Sequence, residues 1–218
     1  MMQSSNLHAF KQIPLFRGCE ILDLEALAEK SSIRTFRKNT IVILEDEEAH
    51  SVYFILQGSV RVFRENGRGK EITLNELVEG EFFGELAWIS KNSRSASVIT
   101  KQDSKLLIIQ AKDFERFYLE NPTVSHAIAH KFATQISVLS QHLEAVALDD
   151  IRQRVMWALQ SYAMLNEDNK LVTSVTHKEL ANLIGTSRES VSRAIQELKA
   201  SGHIKQDDKD ISLGNFIT

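Results

Sequence analysis

A chain of 218 residues with 43% hydrophobic and 25% charged residues, 9 Gly and 2 Pro can bury a substantial core, which excludes the disordered, collagenous and low-complexity classes. Its single cysteine, Cys19, rules out an internal disulfide, a four-cysteine zinc site and a four-thiolate iron–sulfur cluster, and a reducing, cytoplasmic setting is expected. The net charge of -3 divides unevenly: residues 1–150 hold 17 Lys and Arg against 21 Asp and Glu, residues 151–218 hold 9 against 8, so any contact with nucleic acid has to come from a local patch.

Residues 1–10 are too polar for a signal peptide, and no apolar run approaches the roughly 20 residues that cross a bilayer, so no membrane partner is expected. Apolar residues at 21, 24, 27 and 28 predict a short amphipathic helix over 21–30. From 33 to 109 the chain is a series of short β-branched and aromatic runs, at 33–36, 40–44, 52–56, 60–64, 71–77, 97–100 and 106–109. Gly58, Asn66-Gly67, Gly69, Gly80 and Gly84 supply turns between them, and the spacing predicts an antiparallel β-roll or jelly roll.

A helical texture begins after Lys112, and Asn121-Pro122 interrupts and restarts it. Ala129, Phe132, Ile136, Leu139, Leu143 and Val146 then follow at alternating spacings of 3 and 4, a heptad seam suited to a partner helix and so to a homodimer. The plainer alternative packs this stripe on the chain's own β-roll. Leu148-Asp149-Asp150 breaks the seam like a hinge, and Ile151 opens another helix with apolar positions at 155, 158, 159 and 162. The expected division is 1–120 β-roll, 121–148 dimerisation helix and hinge, and 149–218 a smaller C-terminal domain, an α+β architecture.

Thr176-His177-Lys178-Glu179 has capping-box spacing and predicts a helix over 177–184. Gly185 provides the turn, and Thr186-Ser187-Arg188-Glu189 reads as a second capping box. Two capped helices joined by a glycine turn predict a helix-turn-helix in which Ala181 allows a close crossing and Val191, Ile195 and Leu198 face inward. Thr186, Ser187, Arg188, Glu189, Ser192 and Arg193 then occupy the turn and the outer face near the second helix's start, where a recognition helix meets base edges. Two Arg and one Glu offer the donors and acceptor that read guanine and cytosine. Alternatively, Glu189 only caps its helix and pairs with Arg193 on a solvated face. Residues 204–213 complete a winged helix, and Asp207-Asp208-Lys209-Asp210 at its tip would keep that tip off phosphate.

Within the β-roll, Gly80-Glu81-Phe82-Phe83-Gly84-Glu85-Leu86-Ala87 followed by Arg94-Ser95-Ala96 departs from strand alternation. Gly84 allows backbone amides to approach a ligand, Glu85 can accept from a hydroxyl, and Arg94 with Ser95 suits a phosphate. A surface Glu–Arg pair is the alternative reading.

The Gly84 to Ala87 and Arg94 to Ala96 cassette, Gly58-Ser59-Val60, the long helix and Ser187-Arg188-Glu189-Ser190-Val191-Ser192-Arg193, in that combination, resemble the bacterial Crp–Fnr regulators over nearly the whole chain. The resemblance implies a cyclic-nucleotide-type β-roll, a long dimerisation helix and a C-terminal winged helix-turn-helix on a two-fold symmetric promoter site with TGTGA-like half-sites, working with RNA polymerase. It implies that Glu85 binds a ribose 2′-hydroxyl, Arg94 and Ser95 bind the cyclic phosphate, Gly84 and Leu86 contribute backbone, and Ser140 reaches the base across the dimer. Leu139 stands where cyclic-AMP-binding members carry a threonine, so cyclic AMP or a related cyclic nucleotide is expected without a fixed base. Ser192 is a feature of the oxygen-sensing branch, whose cluster cysteines are missing here. Other effectors considered are cyclic di-GMP, haem through Cys19 or a histidine, a redox signal, or none; a cyclic-nucleotide module acting through protein partners is the reading from another class. No Ser/His/Asp set, phosphate loop or zincin motif points to an enzyme, Gly67-Arg68-Gly69-Lys70 reads as a hairpin turn, and His126 with His130 lacks a third metal ligand.

Overall fold

The computed structural model describes residues 2–165, 171–207 and 210–213, with the backbone alone described for residues 2–5, 142, 145–148 and 165. The chain divides into two units, Met1–Arg64 with Leu74–Thr134, and Glu65–Thr73 with Gln135–Thr218.

In the first unit, α1 (Met2–Gln12) and a 3-10 turn (Pro14–Phe16) precede α2 (Ile21–Glu29). The strands are β1 (Ser31–Phe36), β2 (Ile41–Ile43), β3 (Ser51–Gln57), β4 (Ser59–Glu65), β5 (Glu71–Val78), β6 (Phe82–Phe83), β7 (Ser97–Thr100) and β8 (Ser104–Gln110), with α3 (Glu85–Ser90) between β6 and β7. They form two four-stranded sheets, ordered β1-β8-β3-β6 and β2-β7-β4-β5. The two-residue period of β3 divides its side chains between two cores. Val52 and Phe54 join Phe10, Phe16, Leu24, Leu27, Phe82 and Phe114 under the helices, whereas Tyr53 and Ile55 join Ile43, Val60, Phe83 and Val98. The seven expected strands are all present; α1 and β6 are additional.

α4 (Ala111–Glu120) ends at Asn121, and Pro122 opens α5 (Pro122–Leu148), where a missing amide hydrogen costs nothing. Val124 and Ile128 are buried in the first core and Phe132 packs against it. Phe132 is therefore not a pure seam residue: the four-residue steps 124, 128 and 132 trace the stripe that faces the β-roll. Ile136, Leu139 and Leu143 are exposed, and the side chain of Val146 lies outside the described residues.

The second unit holds α6 (Ile151–Tyr162), β9 (Met164–Leu165), β10 (Leu171–Thr173), α7 (His177–Leu183), α8 (Arg188–Ala200), β11 (Ile204–Asp207) and β12 (Asp210–Leu213). Asp150 caps α6, its carboxylate accepting from Arg152 and Gln153 amides while the Gln153 side chain accepts from the Asp150 amide. Its sheet runs β11-β12-β10-β9, so the expected hairpin of 204–213 is extended by two strands that the sequence reading does not contain. The core joins Val155, Leu159, Leu180, Ala181, Val191, Ile195, Leu198, Ile204 and Ile211. Asp208 and Lys209 of the expected wing tip lie outside the described residues; Asp207 pairs across the hairpin with Asp210.

Candidate effector site and nucleic-acid interface

β6 delivers the chain into Gly84, whose φ of 86° starts α3 directly after the strand. A Cβ there would lie 2.8 Å from Arg94 Nη1, so a glycine is what allows the guanidinium to approach. The return segment is pinned by two backbone bonds, from Arg94 N to Glu47 O (2.8 Å) and from Asp46 N to Arg94 O (2.9 Å). Arg94 is only 5% exposed and its guanidinium donates to Gly84 O (2.7 Å) and Ser51 O (2.8 Å), with the Tyr53 ring centre 5.9 Å away. These bonds engage two of the five N–H donors of the group. Burial pushes its pKa below the ordinary guanidinium value, opposed by Tyr53, Glu47 and Glu85.

Glu85 is 3% exposed and its carboxylate accepts from Lys131 Nζ on α5 at 3.0 Å. The same ammonium donates to Phe82 O (2.6 Å) and stands 3.5 Å from the centre of the Phe82 ring. The surface Glu–Arg pair considered as an alternative is thus replaced by two buried groups with different partners. Ser95 is exposed beside Arg94, and Leu86 is exposed on the first turn of α3. Ser140 is exposed on α5, with its hydroxyl donating to Ile136 O (2.9 Å).

Lys131 is the residue that sequence reasoning missed. Its signal was available: between residues 121 and 143 it is the one Asp, Glu, Lys or Arg in the sequence. A lone charge in so long a charge-free stretch calls for a partner.

In the second unit, Thr176 caps α7 as expected, accepting from Glu179 N (3.2 Å) while Thr176 N donates to the Glu179 carboxylate (2.9 Å). Gly185 (φ 66°) makes the turn. The second capping box departs from expectation by one residue. Thr186 N donates back to Ala181 O (3.0 Å), which keeps Thr186 in the turn, and Ser187 caps α8 by accepting from Ser190 N (3.1 Å). Glu189 therefore sits one position too early to close a box. Arg188, Glu189 and Arg193 are exposed and Ser192 is half-buried, while Val191, Ala194, Ile195 and Leu198 are buried on the opposite face. Arg193 Nη2 lies 3.5 Å from Ser190 Oγ, and among the described residues no ion pair joins Glu189 to Arg193. An exposed helix face carrying two guanidinium groups and a carboxylate has the donors and acceptor that base edges in a major groove call for.

Residues 33–121 match the cyclic nucleotide-binding domain family, and residues 153–216 match the Crp-like helix-turn-helix domain family. The chain belongs to the Crp–Fnr family of regulators. It is a DNA-binding transcription regulator with a cyclic nucleotide-binding domain. The cyclic AMP receptor protein of Thermus thermophilus is 29% identical over 195 residues, covering 89% of each chain. The cAMP-activated global transcriptional regulator CRP of Salmonella typhimurium is 28% identical over 194 residues, covering 86% of this chain and 92% of its own. Among solved structures, the Thermus thermophilus catabolite activator protein superposes with a TM-score of 0.54 at 28% identity, covering 92% of this chain and 93% of its own. The c-di-GMP-responsive regulator CLP of Xanthomonas campestris superposes with a TM-score of 0.80 at 22% identity, covering 90% and 100%, a likeness of fold. The names of these relatives are those of a receptor protein, an activator protein and global regulators. Among the described residues of this regulator no helix is long and apolar enough to cross a membrane, and no group of three His, Cys, Asp or Glu is placed to hold a metal.

Proposed function

We propose that this regulator is a cytoplasmic homodimer whose grip on a two-fold symmetric DNA site is gated by a cyclic nucleotide, cyclic AMP or a close analogue, held in the β-roll. The observation that carries the reading is Arg94, a guanidinium buried behind a glycine with donors left over from its two carbonyl bonds. A cyclic phosphate with a single negative charge complements it, and Ser95 adds a hydroxyl at the rim. The amides of Gly84 and Leu86 border the same turn, and Glu85 is the acceptor for a ribose hydroxyl. The names of the similar receptor proteins support cyclic AMP as the first effector to test.

Ile136, Leu139 and Leu143 are 64%, 51% and 70% exposed on α5, and an apolar row of this kind favours a parallel partner helix. In this reading residues 1–120 sense the effector, 121–148 join the protomers, and 149–218 bind TGTGA-like half-sites through Thr186, Ser187, Arg188, Glu189, Ser192 and Arg193. RNA polymerase is the further partner.

A second reading, constitutive DNA binding without a nucleotide, is favoured by one observation: Glu85 is already satisfied by Lys131. Selection from randomised duplex DNA, with and without cyclic AMP, separates the two. A symmetric site recovered only with cyclic AMP supports gating; the same site recovered equally without it supports the second reading; recovery of no preferred sequence would refute both.

A further inference from the structure

Ser192 makes two short contacts through one hydroxyl. Its Oγ lies 2.9 Å from Arg188 O on its own helix and 2.9 Å from His177 Nδ1 at the start of α7. A serine hydroxyl has one proton to give and two lone pairs to accept with. The carbonyl of Arg188 can only accept, so the serine proton goes there, in the backward bond to the fourth preceding residue that helical serines favour. The second contact is then a hydrogen bond only if Nδ1 carries a proton and donates to Ser192. Burial, aided by the positive charges of Arg188 and Lys199, holds the His177 pKa below the ordinary imidazole value. The lowered pKa favours a neutral ring, and the contact with Ser192 then requires the ring proton on Nδ1 and leaves the lone pair on Nε2.

Ser192 is left with a single lone pair. It stands beside exposed Arg193 and one turn beyond Arg188, in the row that meets the groove if α8 is the recognition helix, the reading on which this inference rests. A free serine hydroxyl tells bases apart poorly because it can donate or accept. We propose that His177 is a specificity-determining residue that holds Ser192 in the rotamer bonded to Arg188 O and so keeps it a hydrogen-bond acceptor, so that this position of each half-site reads a base amino group, that of adenine or cytosine, and disfavours the keto oxygens of thymine and guanine. His177 touches no base in this scheme. It is a positioning residue, and it links the first helix of the motif to base choice on the second.

The test uses the full-length protein and the site it selects. At the half-site position that depends on Ser192, wild type should prefer adenine or cytosine, and replacing adenine by purine, or cytosine by its analogue without the amino group, should weaken binding about three- to tenfold. Ser192→Ala should bind the natural and the amino-deleted base equally. His177→Phe removes the N–H donor while keeping a ring, releases the Ser192 side chain from the rotamer that bonds Arg188 O so that its proton can turn toward DNA, and should shrink the discrimination between amino and keto bases at that position alone. Nitrogen-15 NMR of the wild type, with the resonance assigned by its loss in His177→Gln, reads the tautomer independently of any effect of the substitution on DNA binding. A proton on Nδ1 is expected. A proton on Nε2 in the wild type, an amino-group preference that survives in Ser192→Ala, or unchanged discrimination in a folded His177→Phe would each overturn the inference. Wild type that selects no sequence would instead overturn the recognition-helix reading beneath it.

Discussion

Lys131→Met tests whether α3 and α5 are tied through a buried charge. Methionine keeps the aliphatic path along Phe82 and removes the ammonium that serves the Glu85 carboxylate, the Phe82 carbonyl and the Phe82 ring. The side chains of Lys131 and Glu85 are 17% and 4% exposed, so solvent screens the pair little and a carboxylate stripped of its partner stays buried. Removing one member of such a pair costs about 3–5 kcal/mol. Neutralising both, in Lys131→Met with Glu85→Gln, leaves no buried charge and should recover most of that loss. The chain has 2 Trp, and Trp88 lies on α3 itself, so urea unfolding followed by its fluorescence in a Trp157→Phe background reports on the right unit. Strong coupling in the double-mutant cycle is the expected outcome. Strictly additive effects, with Lys131→Met costing less than about 1 kcal/mol, would refute the tie, because that is the range of a solvated surface pair.

Glu at Ile136 or Leu143 should place charge in the apolar row of α5 and yield monomers with sharply weakened operator binding; sedimentation that finds both variants dimeric would move the interface off this helix. Ser187→Ala should destabilise the DNA-binding unit by about 1 kcal/mol through loss of its cap, and Thr186→Ala by clearly less; thermal melting in which Thr186 matters more would restore the cap to the earlier residue. Because His177 has a lowered pKa when folded, the unfolded chain takes up its proton first on acidification. Its contribution to stability is complete above about pH 6.5 and is lost as pH falls from there through the folded value, so melting of the second unit should soften over that window and His177→Gln should flatten the slope.

The β-roll was legible because its strands are β-branched runs closed by glycine turns, and seven of them stand where those runs predict. What escaped lacks local pattern. α1 is polar along most of its length and is held through Leu7, Ala9 and Phe10, with Phe10 buried against residues far along the chain. β6 is two residues long, and β9 and β10 owe their existence to pairing with each other and with β12. The heptad spacing on α5 was real yet served two purposes: a helix with 3.6 residues per turn turns Val124, Ile128 and Phe132 toward the β-roll, while Ala129, Ile136, Leu139 and Leu143 of the same spacing are exposed.

At the candidate sites, chemistry was legible and partnership was not. Glu85 and Arg94 carry their meaning in residue type and spacing, but the Lys131 ammonium that meets Glu85 comes from 46 residues away. Thr186 and Ser187 both offer a hydroxyl ahead of α8, and the choice between them is made by the Thr186 amide bonding back to Ala181, a tertiary fact of the turn. The role of Ser192 likewise depends on His177, which the sequence places 15 residues earlier and on another helix.

Titration calorimetry of the purified full-length protein with cyclic AMP, cyclic GMP and cyclic di-GMP, run in parallel on Arg94→Leu, addresses nucleotide gating at its source. Saturable binding of a cyclic mononucleotide, with cyclic AMP the first expectation, should be seen in the wild type and abolished in a folded Arg94→Leu, since the cyclic phosphate would lose a charge-assisted contact of the stronger kind. Binding that Arg94→Leu leaves undiminished, or a wild type that takes up none of the three nucleotides, would contradict the assignment of the β-roll as the effector site.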